Sequence, residues 1–251
     1  MPKQSEEKFC VVTGGSAGIG SVIVEAYLER GYSVISISRS SYSLSSKKHF
    51  HFVRDLSSSG EVEKVFADIG RISGHLDVLI NNVGRSEWRS LDNIDETFLE
   101  SMLRVNLFST IFCTKYAVPF MRPGCSIVNI SSLAARRGTP NNSVYCATKF
   151  ALSGFTQSMA KELGAHGIRI NSVCPVLIQT PGLQETISLP DGPAYQIGSE
   201  SFLSQFAEQQ TALGRLPSAN DVAETCLYLT SRAAGSVTGQ SINVDCGALP
   251  Q

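Results

Sequence analysis

Tyr145 and Lys149 lie four residues apart in the stretch SVYCATKFA, residues 143–151, which reads as part of a helix. A helix places positions i and i+4 on one face, so the phenol and the ammonium are neighbours. A neighbouring ammonium favours the phenolate, so we expect the pKa of Tyr145 to fall below its usual value of about 10. The pair predicts a general acid or base that works near neutral pH, and a half-buried tyrosine beside a solvated lysine is the alternative.

Length and composition indicate a globular protein with a substantial core. The chain has 251 residues, of which 42% are apolar, and no linker-like segment divides it. We therefore expect a single domain, 1–251, with a substrate loop at about 182–215. The net charge is −1, with both signs interspersed, so neither nucleic acid nor an anionic membrane is an expected partner.

The cysteines and the N-terminus give no sign of secretion or of metal binding. The seven cysteines are scattered and form no C-x-x-C pair, so the sequence predicts neither a metal site nor a disulfide framework. The first ten residues, MPKQSEEKFC, are polar and lack an apolar signal core. These observations favour a cytoplasmic location.

Short β-rich runs alternate with longer helical patterns along the chain, which is typical of a parallel sheet covered by helices on both faces. The patterns predict strands at 9–13, 33–38, 50–53, 76–80, 125–131, 168–174 and 241–244. They predict helices at 18–31, 60–73, 96–121, 143–165 and 219–231, and an irregular stretch from 178 to 215 with one helix at 199–212. The expected fold is a Rossmann-type doubly wound sheet of about seven strands, in which ligands bind beyond the carboxyl ends of the strands.

A glycine-rich turn follows the first predicted strand. Gly14, Gly18 and Gly20 are spaced G-x-x-x-G-x-G within TGGSAGIG, residues 13–20. Glycines let the backbone approach a pyrophosphate, and the helix that follows supplies free N–H groups and a positive dipole end. The position of this turn favours dinucleotide binding over a simple tight turn.

Together these motifs resemble the short-chain dehydrogenase/reductase family, in its single-domain ketoacyl-reductase-like branch. The resemblance runs nearly end to end through TGGSAGIG, NNVG at 81–84, Asn106 in LRVNLFST, NISS at 129–132, Tyr145-x-x-x-Lys149, PVLIQT at 175–180 and VDCG at 244–247. It implies four catalytic residues, Asn106, Ser132, Tyr145 and Lys149. Ser132 would hydrogen-bond the substrate oxygen, Lys149 would also hold the nicotinamide ribose, and Asn106 would hold a water that links Lys149 to solvent.

The resemblance also implies which residues hold a nicotinamide coenzyme. Besides Tyr145 and Lys149, these are Gly14, Ser16, Gly18, Ile19, Gly20, Ser38, Arg39, Asp55, Leu56, Asn82, Val83, Gly84, Pro175, Ile178 and Thr180. Asp55, Leu56 and Asn81 match the adenine pocket of the family. The second strand ends at Ser38, with Arg39 next, where an acidic residue would mark NAD and an arginine accommodates a 2′-phosphate. NADP(H) is therefore favoured, and NAD(H) stays possible.

Three positions depart from the family pattern: Val83, Val176 and Cys246 stand where alanine, glycine and glycine are usual. Because valine enters glycine-only backbone conformations at a cost, Val176 leaves the path of the loop beside the nicotinamide open. None of the three changes removes a reactive group.

The substrate is expected to meet the segment 182–215, which reads as a lid that is mobile without ligand and orders when substrate binds. Trp88 is a candidate wall of the same cleft, with an oligomer contact or a core anchor as alternatives. Arg136 and Arg137 follow Ser132 and would suit an anionic substrate, although a solvated loop explains them equally simply.

The most direct interpretation is an NADPH-dependent carbonyl reductase or alcohol dehydrogenase in which Tyr145 is the general acid or base. Two alternatives stay open: an NAD-dependent secondary-alcohol dehydrogenase, and a non-catalytic regulator that senses nucleotides. The resemblance further implies a homotetramer, with a dimer possible, assembled through 96–121, 143–165 and 219–244.

Overall fold

Seven parallel strands form one sheet in the computed structural model, which describes residues 7–250. The strands are β1 (Phe9–Thr13), β2 (Ser33–Ser38), β3 (His49–Val53), β4 (Leu76–Asn81), β5 (Met121–Ile130), β6 (Arg169–Pro175) and β7 (Ser241–Val244). Their spatial order is β3-β2-β1-β4-β5-β6-β7, so the order reverses between β1 and β4. Ligands of such sheets bind at this reversal, beyond the carboxyl ends of the strands. The predicted fold class is confirmed.

Helices cover both faces of the sheet. The helices are α1 (Gly18–Glu29), α2 (Ser59–Ser73), α3 (Glu96–Leu103), α4 (Ser109–Ala117), α5 (Ser143–Gly164), α6 (Pro181–Ile187), α7 (Ser199–Gln210) and α8 (Ala219–Thr230). One core packs α1 and α8 against the sheet through Ile23, Val24, Val222 and Cys226. The other packs α2, α4 and α5 against the opposite face through Val65, Phe66, Cys113 and Leu163. Because both faces are covered, β1 and β2 are buried along their whole length.

The helix predicted at 96–121 is not continuous. A π-helical turn, Arg104–Phe108, separates α3 from α4, and a 3₁₀ turn, Val118–Phe120, ends the run. A π turn carries one extra residue per hydrogen-bonded ring and is often found at functional sites. Asn106 lies at the centre of this one.

The segment expected to be irregular contains two helices rather than one. The predicted helix at 199–212 corresponds to α7, and α6 was not predicted. Thr180 begins α6 by accepting a hydrogen bond from the Leu183 N–H at 3.2 Å, and Pro181 occupies its first turn. α6 and α7 share a small separate core of Trp88, Ile187, Ala194 and Leu203.

Candidate active site

A cleft of about 950 Å³ opens beyond the carboxyl ends of the strands. This volume is at the upper end of the range of about 300–1,000 Å³ that is usual for ligand pockets. Of the residues predicted to bind coenzyme or substrate, the cleft is lined by Gly14, Ser16, Gly18, Ile19, Ser38, Arg39, Asp55, Leu56, Asn82, Val83, Gly84, Ser132, Tyr145, Lys149, Pro175, Ile178 and Thr180. Gly20 and Asn106 lie behind this lining.

The backbone conformation and close contacts of the glycine turn leave no room for side chains at several of its positions. Gly14 and Gly18 have φ angles of +67° and +56°, in the left-handed region that favours glycine. A Cβ on Gly20 would overlap the Gly14 carbonyl oxygen, so the turn and the first residues of α1 touch through backbone atoms. The N-cap residue of α1, Ala17, makes no side-chain hydrogen bond to the first turn of the helix. Its first N–H groups are therefore free for a pyrophosphate, and a dinucleotide fits this turn.

The loop after β4 is fastened to this turn. The Asn82 amide donates to the carbonyl oxygens of Thr13 and Gly14 at 3.0 and 3.1 Å. The Thr13 hydroxyl accepts from the backbone N–H groups of Asn82 and Val83 at 2.9 and 3.1 Å. The ends of β1 and β4 thus form one rigid floor.

Asn81 does not belong to the cleft, so its predicted place in the adenine pocket is wrong. Its side chain is buried and donates to Thr114 Oγ1 at 3.1 Å and to Asn129 Oδ1 at 2.9 Å. Successive residues of a strand point to opposite faces, and this alternation directs Asn81 into the core below α4.

Two guanidinium groups flank the corner of the cleft at the end of β2. Arg39 is exposed. Arg54 directly follows β3, with its backbone N–H donating to the Ser38 carbonyl oxygen at 2.9 Å and its Nη1 to the Val53 carbonyl oxygen at 2.9 Å. Arg54 Nε lies 3.5 Å from a Glu61 carboxylate oxygen, too long for a well-formed hydrogen bond. The sequence analysis missed Arg54, although a basic residue directly after β3 is a usable signal for this corner.

The turn after Ser38 is held from below by His51. The Ser38 hydroxyl donates to the Ser40 carbonyl oxygen at 2.7 Å, and His51 Nε2 lies 2.9 Å from the same oxygen. Asp55 closes the corner, where the Ser57 backbone N–H lowers the pKa of its carboxyl and Arg39 adds a smaller effect in the same direction. The corner therefore presents positive side chains on an ordered backbone.

The catalytic candidates meet on the opposite wall. Tyr145 and Lys149 project from α5, and Lys149 Nζ donates to the Ile130 carbonyl oxygen at 3.1 Å. Nζ lies 5.6 Å from the centre of the Tyr145 ring. Ser132 follows β5, and its hydroxyl accepts from the Ala134 N–H at 3.1 Å while lowering the pKa of the Tyr145 phenol. Ser131 is buried, and its hydroxyl is directed at the Lys149 carbonyl oxygen at 3.5 Å.

The expectation that Lys149 lowers the pKa of Tyr145 is wrong for this structure. Burial raises the pKa of Tyr145 to about 12, and the hydrogen bond from Ser132 opposes the rise. Burial also lowers the pKa of Lys149 to about 8, since a charged ammonium loses hydration there. Desolvation outweighs charge attraction because the amine points at Ile130 rather than at the phenol oxygen.

Asn106 fixes the loop behind the catalytic residues. Its Oδ1 accepts from the Arg85 N–H at 2.8 Å, and its Nδ2 donates to the Arg85 carbonyl oxygen at 3.0 Å. A Cβ on Gly84 would lie 3.0 Å from Asn106 Oδ1 and 3.3 Å from Lys149 Nζ, so the three residues are in close contact. A water held by Asn106 stays a prediction.

The departures from the family pattern have different outcomes. Among residues 7–250, the only non-glycine residues with positive φ are Asn141 and Cys246. Val176 therefore has ordinary backbone geometry, and its N–H donates to the Val244 carbonyl oxygen at 3.2 Å. Cys246, by contrast, keeps the left-handed conformation that a glycine would favour, with φ of +53°.

The substrate end of the cleft is formed by Trp88 and by the segment that carries α6 and α7. Trp88 is both a cleft wall and the anchor of the small core under these helices. Arg137 lines the cleft with its guanidinium 6.0 Å from the Phe206 ring centre, whereas Arg136 turns away and donates to the Ser241 carbonyl oxygen at 2.5 Å. Of the two arginines, only Arg137 lines the cleft.

The described part of the chain includes no helix that is long and apolar enough to cross a membrane.

Comparisons with known proteins agree with this geometry. Residues 14–248 match the sequence profile of the family described as Enoyl-(Acyl carrier protein) reductase. The chain is 32% identical to 3-oxoacyl-[acyl-carrier-protein] reductase FabG of Thermotoga maritima, with 96% of this chain and 98% of the relative covered. It is 30% identical to the diacetyl reductase [(S)-acetoin forming] of Staphylococcus aureus, with 97% and 98% covered.

Solved structures include a similar fold over the same length. The ligand-free aldohexose dehydrogenase of Thermoplasma acidophilum superposes with a TM-score of 0.88 at 30% identity, and 98% of each chain is covered.

Proposed function

The chain belongs to the short-chain dehydrogenase/reductase family, and from this premise we propose that it is an NADPH-dependent carbonyl reductase or alcohol dehydrogenase with Tyr145 as general acid and base. It is an oxidoreductase that acts on CH–OH groups, as its relatives are, and the family uses nicotinamide coenzymes. One observation carries the finer proposal: Ser132, Tyr145 and Lys149 line the same cleft as the glycine turn.

The residues of the cleft suit the reduction of a ketone. The bound coenzyme supplies the hydride. Ser132 and Tyr145 hold the carbonyl oxygen, and the Tyr145 phenol donates its proton as negative charge develops there. With a pKa of about 12, the phenol is protonated across the neutral range and is ready to donate. Lys149 then returns a proton to Tyr145 from solvent, and alcohol oxidation reverses each transfer.

NADP(H) is the favoured coenzyme because Arg39 and Arg54 both face the corner where a 2′-phosphate would lie. Arginine binds phosphate through several N–H groups at once, so two guanidinium groups there favour the phosphorylated coenzyme. Asp55 also lines the cleft, and its carboxylate already accepts from the Ser57 backbone N–H at 3.0 Å.

The test is an assay of NADPH and NADH oxidation across a panel of ketones, with Tyr145→Phe as the inactive control. Turnover that prefers NADPH and depends on Tyr145 supports the proposal. Turnover that prefers NADH favours the NAD-dependent alternative. Tight coenzyme binding without reduction of any carbonyl favours a nucleotide-sensing regulator.

The identity of the substrate does not follow from the relatives. Their names refer to a 3-oxoacyl carrier-protein thioester, to diacetyl and to aldohexoses. These compounds share a carbonyl or carbinol carbon and little else. The proposal is therefore limited to small carbonyl compounds and secondary alcohols.

We also propose that the enzyme is a homotetramer. Phe108 and Phe150 are exposed at 37% and 46% on the surfaces expected to pair, and Tyr228 on α8 is exposed at 49%. Exposed aromatic residues of this kind are enriched at interfaces. Light scattering at micromolar concentration is expected to give four times the chain mass of 27.0 kDa, and a monomer would contradict the proposal.

A cytoplasmic location is part of the same proposal. The seven cysteines are all free thiols, and six of them are buried. Free thiols persist in a reducing compartment. Fractionation of cells that express the chain is expected to place the activity in the cytoplasmic fraction, and recovery from a secreted or membrane fraction would contradict it.

A further inference from the structure

Asn142 is the first residue to consider beyond the catalytic group. It is the N-cap of α5, one helical turn before Tyr145, and it lines the cleft while only 4% exposed. An asparagine at an N-cap usually accepts a hydrogen bond from a backbone N–H in the first turn. The Asn142 side chain makes no such bond.

The amide of Asn142 has no hydrogen-bond partner within residues 7–250, and its Oδ1 is buried. Four other asparagines in this part of the chain are buried, and each donates hydrogen bonds through its Nδ2, although Asn81 Oδ1 is also unpaired; they are Asn81, Asn106, Asn129 and Asn171. Buried polar groups are normally paired, so an unpaired one in a ligand cleft requires an explanation. A ligand that completes the pairing supplies one.

We propose that Asn142 binds a hydroxyl group next to the reacting carbon, so that the substrate is an α-hydroxy ketone or, in the oxidative direction, a vicinal diol. This inference rests on the proposed function and narrows its substrate class. Asn142 lies three residues before Tyr145 at the start of α5 and lines the same cleft, which places its amide on the wall beside the substrate oxygen that Tyr145 would hold.

The chemistry of the amide selects a hydroxyl. An unpaired acceptor needs a donor, and a hydroxyl group supplies one, whereas a second carbonyl does not. The terminal torsion of asparagine is broad, so Oδ1 is able to turn toward the cleft when a donor arrives. A hydroxyl also accepts from Nδ2, so it pairs with either the oxygen or the nitrogen of the amide.

The test compares 3-hydroxybutan-2-one with butan-2-one, which differ by one hydroxyl group. A site built to pair with a substrate hydroxyl discriminates strongly against the analogue that lacks it, and for this single contact we expect a preference of about 10- to 100-fold in kcat/KM. Asn142→Leu is expected to reduce the ratio to within about threefold of its non-enzymatic value, and Asn142→Asp, which keeps an acceptor, to retain most of it. Because the hydroxyl also activates the carbonyl intrinsically, the change in ratio between variants is the decisive quantity.

Ser153→Ala is the matched control. Ser153 lies on the same helix, its Oγ is also buried without a partner, and it does not line the cleft. Removing this hydroxyl is expected to leave the substrate ratio unchanged. An equal effect of Ser153→Ala and Asn142→Leu would assign the change to helix packing and overturn the inference.

A binding measurement separates this inference from the proposed function. Trp88 is the only tryptophan of the chain and lines the cleft, so its fluorescence reports ligand binding without turnover. With reduced coenzyme bound, which cannot oxidise an alcohol, butane-2,3-diol is expected to bind at least tenfold more tightly than butan-2-ol to the wild type, and about equally to Asn142→Leu. Failure to reduce any carbonyl would defeat the proposed function alone. Equal binding of both alcohols by the wild type would overturn the role of Asn142 and leave carbonyl reduction standing.

Discussion

The coenzyme side and the substrate side of the cleft are built in different ways. On the coenzyme side, Gly14 and Asn82 directly follow strands and are fixed by hydrogen bonds to the backbone, and Lys149 of α5 donates to the carbonyl oxygen at the end of β5. The substrate side rests on α6 and α7, whose own core is small. Elements with few buried contacts open and change more readily than a central sheet. One fold can therefore keep a rigid reaction centre while the helices on its substrate side vary.

The largest expected contrast is between removing the Tyr145 hydroxyl oxygen on the coenzyme side and removing the Phe206 ring on the substrate side. Tyr145→Phe is expected to lower kcat by about 10²- to 10⁴-fold, since it removes the proton donor and little else. Phe206→Leu on α7 is expected to change kcat/KM by less than about tenfold, because it alters only a wall contact. Steady-state kinetics measure both, and coenzyme titration controls for binding. A Tyr145→Phe enzyme with near-normal turnover would remove the basis of the comparison.

Two glycine substitutions test the same contrast in stability. Gly20→Ala places a Cβ against the Gly14 carbonyl oxygen and is expected to lower the free energy of unfolding by about 3 kcal/mol. At Gly182 in α6 a Cβ meets nothing within 4 Å, so Gly182→Ala is expected to change it by no more than about 0.5 kcal/mol or to increase it slightly. Urea unfolding measures both. Equal losses would show that the substrate side is as closely packed as the glycine turn.

The buried ammonium of Lys149 predicts a pH dependence of stability. Its pKa is lowered from 10.5 to about 8, so between these values the unfolded chain binds more protons than the folded one. The contribution of this group to the free energy of unfolding therefore rises with pH across that window, by roughly 2–3 kcal/mol. Lys149→Met removes the charge, so its stability advantage over the wild type is expected to be largest at pH 7 and to shrink toward pH 10. Urea unfolding of both proteins at three pH values checks this, and a difference that does not vary with pH would contradict it.

Coenzyme choice is the next contrast, because it depends on side chains at the rim rather than on the rigid floor. Arg39→Ala is expected to weaken NADPH by about 10- to 150-fold, equivalent to roughly 1.5–3 kcal/mol, and to leave NADH almost unchanged. Ser38→Asp should weaken NADPH and favour NADH, because its carboxylate repels a phosphate and accepts from a ribose hydroxyl. Added salt should reduce the NADPH preference, since Arg39 is exposed. The measurement is kcat/KM for both coenzymes, and a wild type that prefers NADH would overturn the coenzyme proposal only.

The smallest expected effect is at Cys246, where the C-terminal turn meets the end of the substrate segment. Its carbonyl oxygen accepts from the Leu213 N–H at 3.1 Å, and its φ of +53° is costly for a residue with a Cβ. Cys246→Gly relieves this cost but gains freedom in the unfolded chain, so a net increase of about 0.5–1 kcal/mol is expected in the free energy of unfolding. Thermal unfolding measures it. A lower melting temperature would show that the thiol contributes packing that outweighs the strain.

The strands and helices that were predicted correctly from the sequence are those in which apolar residues follow a simple pattern. The bounds of β1, β2 and β7 match the structure, and β1 and β2 are buried apolar runs of the kind that marks parallel strands. The glycine turn was found because it directly follows β1, and the Tyr145–Lys149 pair because of its i, i+4 spacing in a predicted helix. Periodicity carried no sign of α6, which owes its start to the Thr180 cap and Pro181 rather than to an apolar pattern.

The predictions that failed concern the direction in which a side chain points and the groups that it contacts, and both depend on the tertiary structure. Asn81 and Asn82 are adjacent and alike in type, and only their placement on opposite faces decides which one lines the cleft. The pKa of Tyr145 depends on burial, which no local spacing reveals. Asn142 gave no signal because the lack of a hydrogen bond is a property of the folded chain. The predicted mobility of the segment 182–215 stays a prediction.

The position of Asn106 in the active site depends on the number of residues in the π-helical turn, Arg104–Phe108, between α3 and α4. Each residue of a helix turns the chain by about 100°, so deleting one residue from this turn would restore a regular helix and swing Asn106 away from Arg85. Both hydrogen bonds to the loop beside Gly84 would be lost without any change to the asparagine itself. Loss of a single codon here should therefore be as damaging as replacing Asn106.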